Sequence, residues 1–287
     1  FPDRLFAPPR RTALMKDDAN PVYDKEIHAE LFSQGTLMLR LVIQISMLLA
    51  IPLMAILLFL RPMYCPWYIC YVLVFNILVA PVFSAGSLTS ERERQTLELL
   101  LTTQLKPWQI IWGKLLAGFR VSYVLTMFLM WPLVLAFLLG MGVYGSNWLA
   151  VIVFFAIVLV AAVFNSVSAL LCSSVCKKTS VAMLISYSIL IILYFLPAAA
   201  WYVGNNVTDS AHVLQILSQV GIPSPLMASF WVPLDANIMR DMSGTAQSNG
   251  GDWQIVIAYF LVAVSLILAS LGVIAFILRN RWGMTGR

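Results

Sequence analysis

Residues 148–172 read WLAVIVFFAIVLVAAVFNSVSALLC, without one charged side chain. About 20 apolar residues of helix are enough to cross a bilayer. Few folds are open to a chain with several such runs. Five more lie near 37–60, 67–88, 113–140, 180–204 and 253–278. The chain is 61% hydrophobic and only 11% charged, whereas about a quarter of a soluble domain is charged. The runs are continuous, not alternating apolar and polar, which argues against a β-barrel. A helix satisfies its own backbone hydrogen bonds inside lipid. The expected fold is therefore an all-α membrane protein with six transmembrane helices.

The net charge of +5 does not point to nucleic acid, because the basic residues cluster at the ends of the apolar runs. Arg4, Arg10, Arg11, Lys16 and Lys25 precede the first run. Arg92, Arg94, Lys106 and Lys114 fall between the second and third. Lys177 and Lys178 join the fourth to the fifth, and Arg279, Arg281 and Arg287 follow the sixth. All of these fall on one side, and the other has only Arg61 and Arg240. The positive-inside rule makes the basic side cytoplasmic, with both termini there. Arg40 and Arg120 lie within runs but near that side, where they can snorkel.

Outside the runs the chain divides simply. A chain opening on Phe1 is expected to be a processed or excised piece, and no basic-then-apolar leader opens it. Residues 1–20 read as a cytoplasmic tail. Asn20-Pro21 has the form of an N-cap followed by a first-turn proline. Tyr23, Ile27 and Leu31 then recur every four residues, so 21–35 reads as an amphipathic helix, on the membrane surface or solvated ahead of it. Residues 279–287 form a cytoplasmic C-terminus. On the other side, Gly221–Asp235 is apolar but too short to cross, and prolines bracket it. Such a segment lies at the interface or re-enters the bilayer. Val213, Ile216, Leu217 and Val220 before it share a helical face, and Asn206-Val207-Thr208 is a glycosylation sequon. Cys172 and Cys176 share a face but have no further ligands nearby for a metal. They read as packing residues, and Cys65 and Cys70 fall near the opposite side, where a disulfide is possible.

The connection between the second and third runs departs from the rest: SERERQTLELLLTTQLKPWQIIWGK, Ser90 to Lys114. Ser90 and Glu93 have capping-box spacing, which predicts a helix starting at Ser90. Leu97, Leu100, Leu101 and Leu105 form an apolar stripe, with Glu91, Gln95, Glu98 and Thr102 on the polar arc. Pro107 breaks the segment, and Trp108, Ile111 and Trp112 lead into the third run. A capped, charged helix lying along the cytoplasmic surface is expected, either as a plain surface helix or as a docking site.

This stretch resembles the signature of ABC-2 type transporter permeases, roughly E-R/K-E-x-G-T-L-E-x-L-L-x-T-P followed by a hydrophobic turn and G-K. The matching residues are Glu91, Arg92, Glu93, Thr96, Leu97, Glu98, Leu100, Leu101, Thr103, Ile110, Gly113 and Lys114. Gln95 stands where Gly is usual, Gln104 where Pro is usual, and Lys106-Pro107 also departs. The resemblance implies a coupling helix between spans two and three, seated on an ATP-binding subunit. Glu91, Arg92, Glu93, Arg94, Thr96, Leu97, Glu98, Leu100 and Leu101 would form that interface, with Glu91, Arg92 and Glu98 in charged contacts and the leucines facing the spans. It further implies a second permease subunit, alternating access, and export across a bacterial inner membrane.

Other classes fit less well. Gly113-Lys114 lacks the upstream glycine of a P-loop and is followed by Leu115. This chain is thus not expected to be an ATPase or to hold a cofactor; ATP and Mg would belong to the partner. An ion-coupled secondary transporter usually carries titratable groups within its spans, and the six runs contain no Asp, Glu or His. His28 and His212 fall on opposite sides. An ATP-independent channel is compatible with the composition but leaves Ser90–Lys114 unexplained. Asn76 and Asn165 are polar residues within spans, read as interhelical hydrogen-bonding groups or as lining of a substrate path.

Overall fold

The computed structural model describes residues 36–60, 64–93, 95, 107–139, 147–207, 219–234 and 251–281. The expected tail, the amphipathic helix 21–35, Val213, Ile216 and Leu217, and residues 96–106 lie outside them. Among the described residues all regular structure is helical. Helix α1 spans Thr36–Met54, α2 Cys65–Ser84, α3 Gly86–Glu93 and α4 Pro107–Leu139. Then follow α5 Trp148–Val175, α6 Thr179–Val207, α7 Pro225–Trp231 and α8 Trp253–Arg281.

Five stretches among the described residues are long and apolar enough to cross a membrane: Cys65–Glu93, Gln109–Leu139, Trp148–Val175, Thr179–Gly204 and Trp253–Ile277. The first expected run is helical too. Pro52 cannot donate to the carbonyl four residues back, and just beyond it α1 widens into a π turn over Ala55–Leu60. Its described apolar part, Gln44–Leu60, is shorter than the other five.

Helix α5 is the axis of the bundle. It packs against α2, α3, α4, α6, α7 and α8, and its buried side chains include Phe154, Ile157, Val158, Ala161, Asn165 and Val167. Helix α8 is peripheral. Ile257, Leu261, Val264, Leu268 and Phe276 form an exposed stripe, while Val256, Tyr259, Ala263 and Ile274 are buried on the opposite side. In water so wide an apolar face would have to be covered; in a bilayer, lipid covers it. Helix α4 carries exposed Trp112 and Trp131. At 1.5 Å per residue they are about 28 Å apart along the axis, close to the hydrocarbon thickness. Tryptophan prefers both interfaces.

Helices α2 and α4 approach closely along a seam of small and polar residues. Lys114, Gly118, Ser122 and Thr126 recur every fourth residue on α4. They meet Ser87, Ser84 and Asn76 in antiparallel order. Small residues let helix backbones approach in lipid, where packing drives association. A Cβ on Gly118 would lie 2.7 Å from Ser84 Oγ and 3.4 Å from Phe83 O. The Ser84 hydroxyl has no hydrogen-bond partner and is free to turn aside. Gly118→Ala is therefore expected to change stability by less than about 1 kcal/mol, and Gly118→Leu to lower it by about 1–3 kcal/mol. Thermal unfolding of the purified chain in detergent checks this; equal effects of the two would refute the seam.

At the end opposite Lys114, the described residues 221–234 fold inward around a short helix, Pro225–Trp231, not a span. Ser224 caps α7: its hydroxyl accepts from Met227 N and donates to Tyr194 O at 2.8 Å. Pro225 occupies the first turn, where its missing N–H costs nothing. Pro225 to Ser229 are buried, and α7 packs on α2, α5, α6 and α8. Gly251 closes this end. A Cβ there would stand 2.6 Å from Pro233 Cα, and Asp252 N donates to Trp231 O. The four cysteines are free, and the described residues hold no cluster that could bind a metal.

Candidate coupling site

The sequence predicts a helix beginning at Ser90. The structure corrects this: Ser90 lies inside α3, which begins at Gly86 and ends at Glu93. The capping-box spacing is present, but the chain is already helical before it. Helix α3 is set off from α2 by a single turn residue, Ala85, whose backbone keeps right-handed helical geometry. The Leu88 and Thr89 amides donate to Ser173 Oγ of α5, at 3.0 and 3.1 Å. The first amides of a helix lack partners of their own, and here a side chain from another span satisfies two of them. The Thr89 hydroxyl returns to Ala85 O.

The far end of α3 is marked by backbone geometry. Gln95 has φ of 57°, the left-handed conformation in which helices commonly stop and which favours glycine. Its amide donates to Arg92 O at 3.1 Å. The position where the permease signature usually has Gly is thus a left-handed residue in this chain. Gln95→Gly is expected to raise stability by about 0.5–1 kcal/mol by relieving that conformation. An unchanged or lower unfolding midpoint would contradict it.

Three consecutive charged side chains leave the end of α3 toward three different helices. Glu91 lies 3.7 Å from Lys114 Nζ of α4, and both side chains are at least nine-tenths buried. Lys114 also donates to Ser87 O at 2.8 Å. Arg92 donates to Cys176 O and to Ser174 O, the latter at 3.2 Å, at the carboxyl end of α5. Glu93, which is exposed, accepts from Thr179 N, the first amide of α6, at 2.8 Å. A cation on terminal carbonyls and a carboxylate on a starting amide each match the helix macrodipole. Of the residues the sequence assigns to an ATPase interface, Glu91, Arg92 and Glu93 are thus bonded within this chain. Arg94, Thr96, Leu97, Glu98, Leu100 and Leu101 lie outside the described residues. The sequence reading missed Lys114 as a partner of Glu91. A lysine entering an apolar helix, with a carboxylate on the same side of the membrane, is the signal that could have found it.

Asn76 and Asn165 come together in the core, both fully buried. Asn76 donates to Thr126 Oγ1 at 2.6 Å and, more weakly, to Ser122 Oγ at 3.4 Å. Asn165 donates to Asn76 Oδ1 at 2.8 Å, and the Tyr194 hydroxyl donates to Asn165 Oδ1 at 2.7 Å. The chain of bonds ties α2, α4, α5 and α6 at mid-span. This is the interhelical hydrogen bonding expected of polar residues in lipid.

Five apolar helices of membrane-crossing length, packed in one bundle among the described residues, define the class: a multi-pass membrane protein. The profile of the family described as ABC-2 family transporter protein matches residues 12–278, and the chain belongs to that family. Comparison with curated proteins gives no match.

Proposed function

We propose that this chain is the membrane subunit of an ATP-driven ABC-2 exporter. The family match over residues 12–278 carries the reading. In it, residues 37–60 form a sixth span, both termini are cytoplasmic, and the membrane is the bacterial inner membrane. Two membrane subunits, identical or different, assemble with two ATP-binding subunits that hold ATP and Mg. This chain hydrolyses nothing itself. Residues 94–101, above all Glu98, meet the ATP-binding subunit. Glu91, Arg92 and Glu93 form the frame on which that segment is mounted, and their bonds to α4, α5 and α6 support this role. Nucleotide-driven closure of the ATPase pair then moves the basic end of the bundle and switches the path between two faces.

A photo-cross-linking residue at Glu98, tested in native membranes, examines this contact. The expected adduct is an ATP-binding subunit, absent when the same group is placed at Tyr202 at the opposite end. Adducts at position 98 with lipid alone would refute the interface.

A further inference from the structure

The bonds of Arg92 and Glu93 converge on one short turn. Helix α5 ends at Val175 and α6 begins at Thr179, with Cys176, Lys177 and Lys178 between them. Arg92 holds the last carbonyls of α5, and Glu93 holds the first amide of α6. Ser173, one turn back on α5, holds the first amides of α3. The Thr179 methyl lies 3.5 Å from where a Cβ on Gly86 would sit. Helix α3 is therefore fastened near its start to the last turn of α5 and at its end to both sides of the α5–α6 turn. The local sequence could not make this fastening: the residue before α6 is Lys178, which has no acceptor with which to cap it. The Glu93 bond is also exposed to solvent, where such contacts contribute little to stability. Its value lies in position. It holds the start of α6, while Arg92 beside it holds the end of α5, the helix that carries Asn165 and touches most of the bundle.

We propose that Arg92 and Glu93 are positioning residues that clamp the α5–α6 turn to the end of α3. Residues 86–93 and 173–179 then move as one unit. Displacement of the chain just after Glu93 is delivered to α5 and α6, not absorbed in the turn. This rests on the permease reading and adds to it the route by which motion enters the bundle.

The test is hydrogen exchange of the complete complex in lipid nanodiscs, with and without ATP and vanadate. In the wild type, trapping is expected to change exchange at both 94–106 and 176–182. In Glu93→Ala the change at 176–182 should fall at least about threefold while that at 94–106 persists. Glu93→Gln keeps an acceptor oxygen for the Thr179 amide and should behave as wild type. A mere loss of charge or of fold would not separate these two variants. A wild-type response at 176–182 in Glu93→Ala overturns the clamp and leaves the permease reading standing. A wild-type complex with no ATP-binding subunit, or no response anywhere, overturns the reading and the clamp with it.

Discussion

Lys114→Met is expected to be among the most destabilising single changes to this bundle. It removes the cation 3.7 Å from the Glu91 carboxylate and the donor to Ser87 O, in a site where both side chains are almost fully buried. Removing one partner of a buried ion pair leaves an uncompensated charge, at a cost of about 3–5 kcal/mol. The pair itself need not be strongly stabilising, because both charges must be desolvated to form it. The double variant Glu91→Leu/Lys114→Met is therefore expected to recover most of the loss. Arg120→Met provides the control, since Arg120 is an exposed charge further along α4. Unfolding midpoints in detergent decide the matter. If Lys114→Met behaves like Arg120→Met, the buried pair does not exist in the membrane.

Asn165→Ala is expected to be the second large effect. It strips a partner from two buried groups at once, Asn76 Oδ1 and the Tyr194 hydroxyl. Interhelical hydrogen bonds in lipid are worth only about 0.6 kcal/mol on average, because the unfolded chain in the membrane finds other partners. Here the two orphaned groups stay inside a packed core with no lipid-side escape, so a loss of about 2–3 kcal/mol is expected. Ser188→Ala should change stability by less than about 0.5 kcal/mol. That hydroxyl is exposed and bonds only its own helix, at Leu184 O. Asn76→Ala combined with Asn165→Ala should cost less than the sum of the two, as residues in one network do. Strict additivity would show that the two amides do not speak to each other.

These two sites differ in how far they could be read in advance. Asn76 and Asn165 each interrupt an apolar run, and a polar side chain in lipid needs a partner, so both were expected to bond between helices or to line a path. That Asn165 meets Asn76 and the Tyr194 hydroxyl, and Asn76 the Thr126 hydroxyl, was not legible, because the partners come from different helices. The positions of the runs were legible too: 148–172 was expected, and Trp148–Val175 is observed. The ends were not, for a physical reason. Ser173 caps α3, Glu93 caps α6, and Arg92 closes α5, so each terminus is satisfied by a residue distant in the chain. Ser90 and Glu93 misled because local capping spacing cannot reveal that a helix has already begun at Gly86. Gln95 illustrates the opposite case. The glycine usual at that point in the permease signature marks a left-handed residue, and φ of 57° is found there.

The proposed function makes this family member the membrane half of an ATP-driven pump. Its most direct test is affinity purification of the chain from its native membrane in mild detergent, followed by an assay of Mg-dependent ATP hydrolysis. An ATP-binding subunit is expected to co-purify and to be active, and Glu98→Ala to weaken its association. A folded chain that purifies without any ATP-binding subunit, its α5–α6 turn and core intact, would rule out this function.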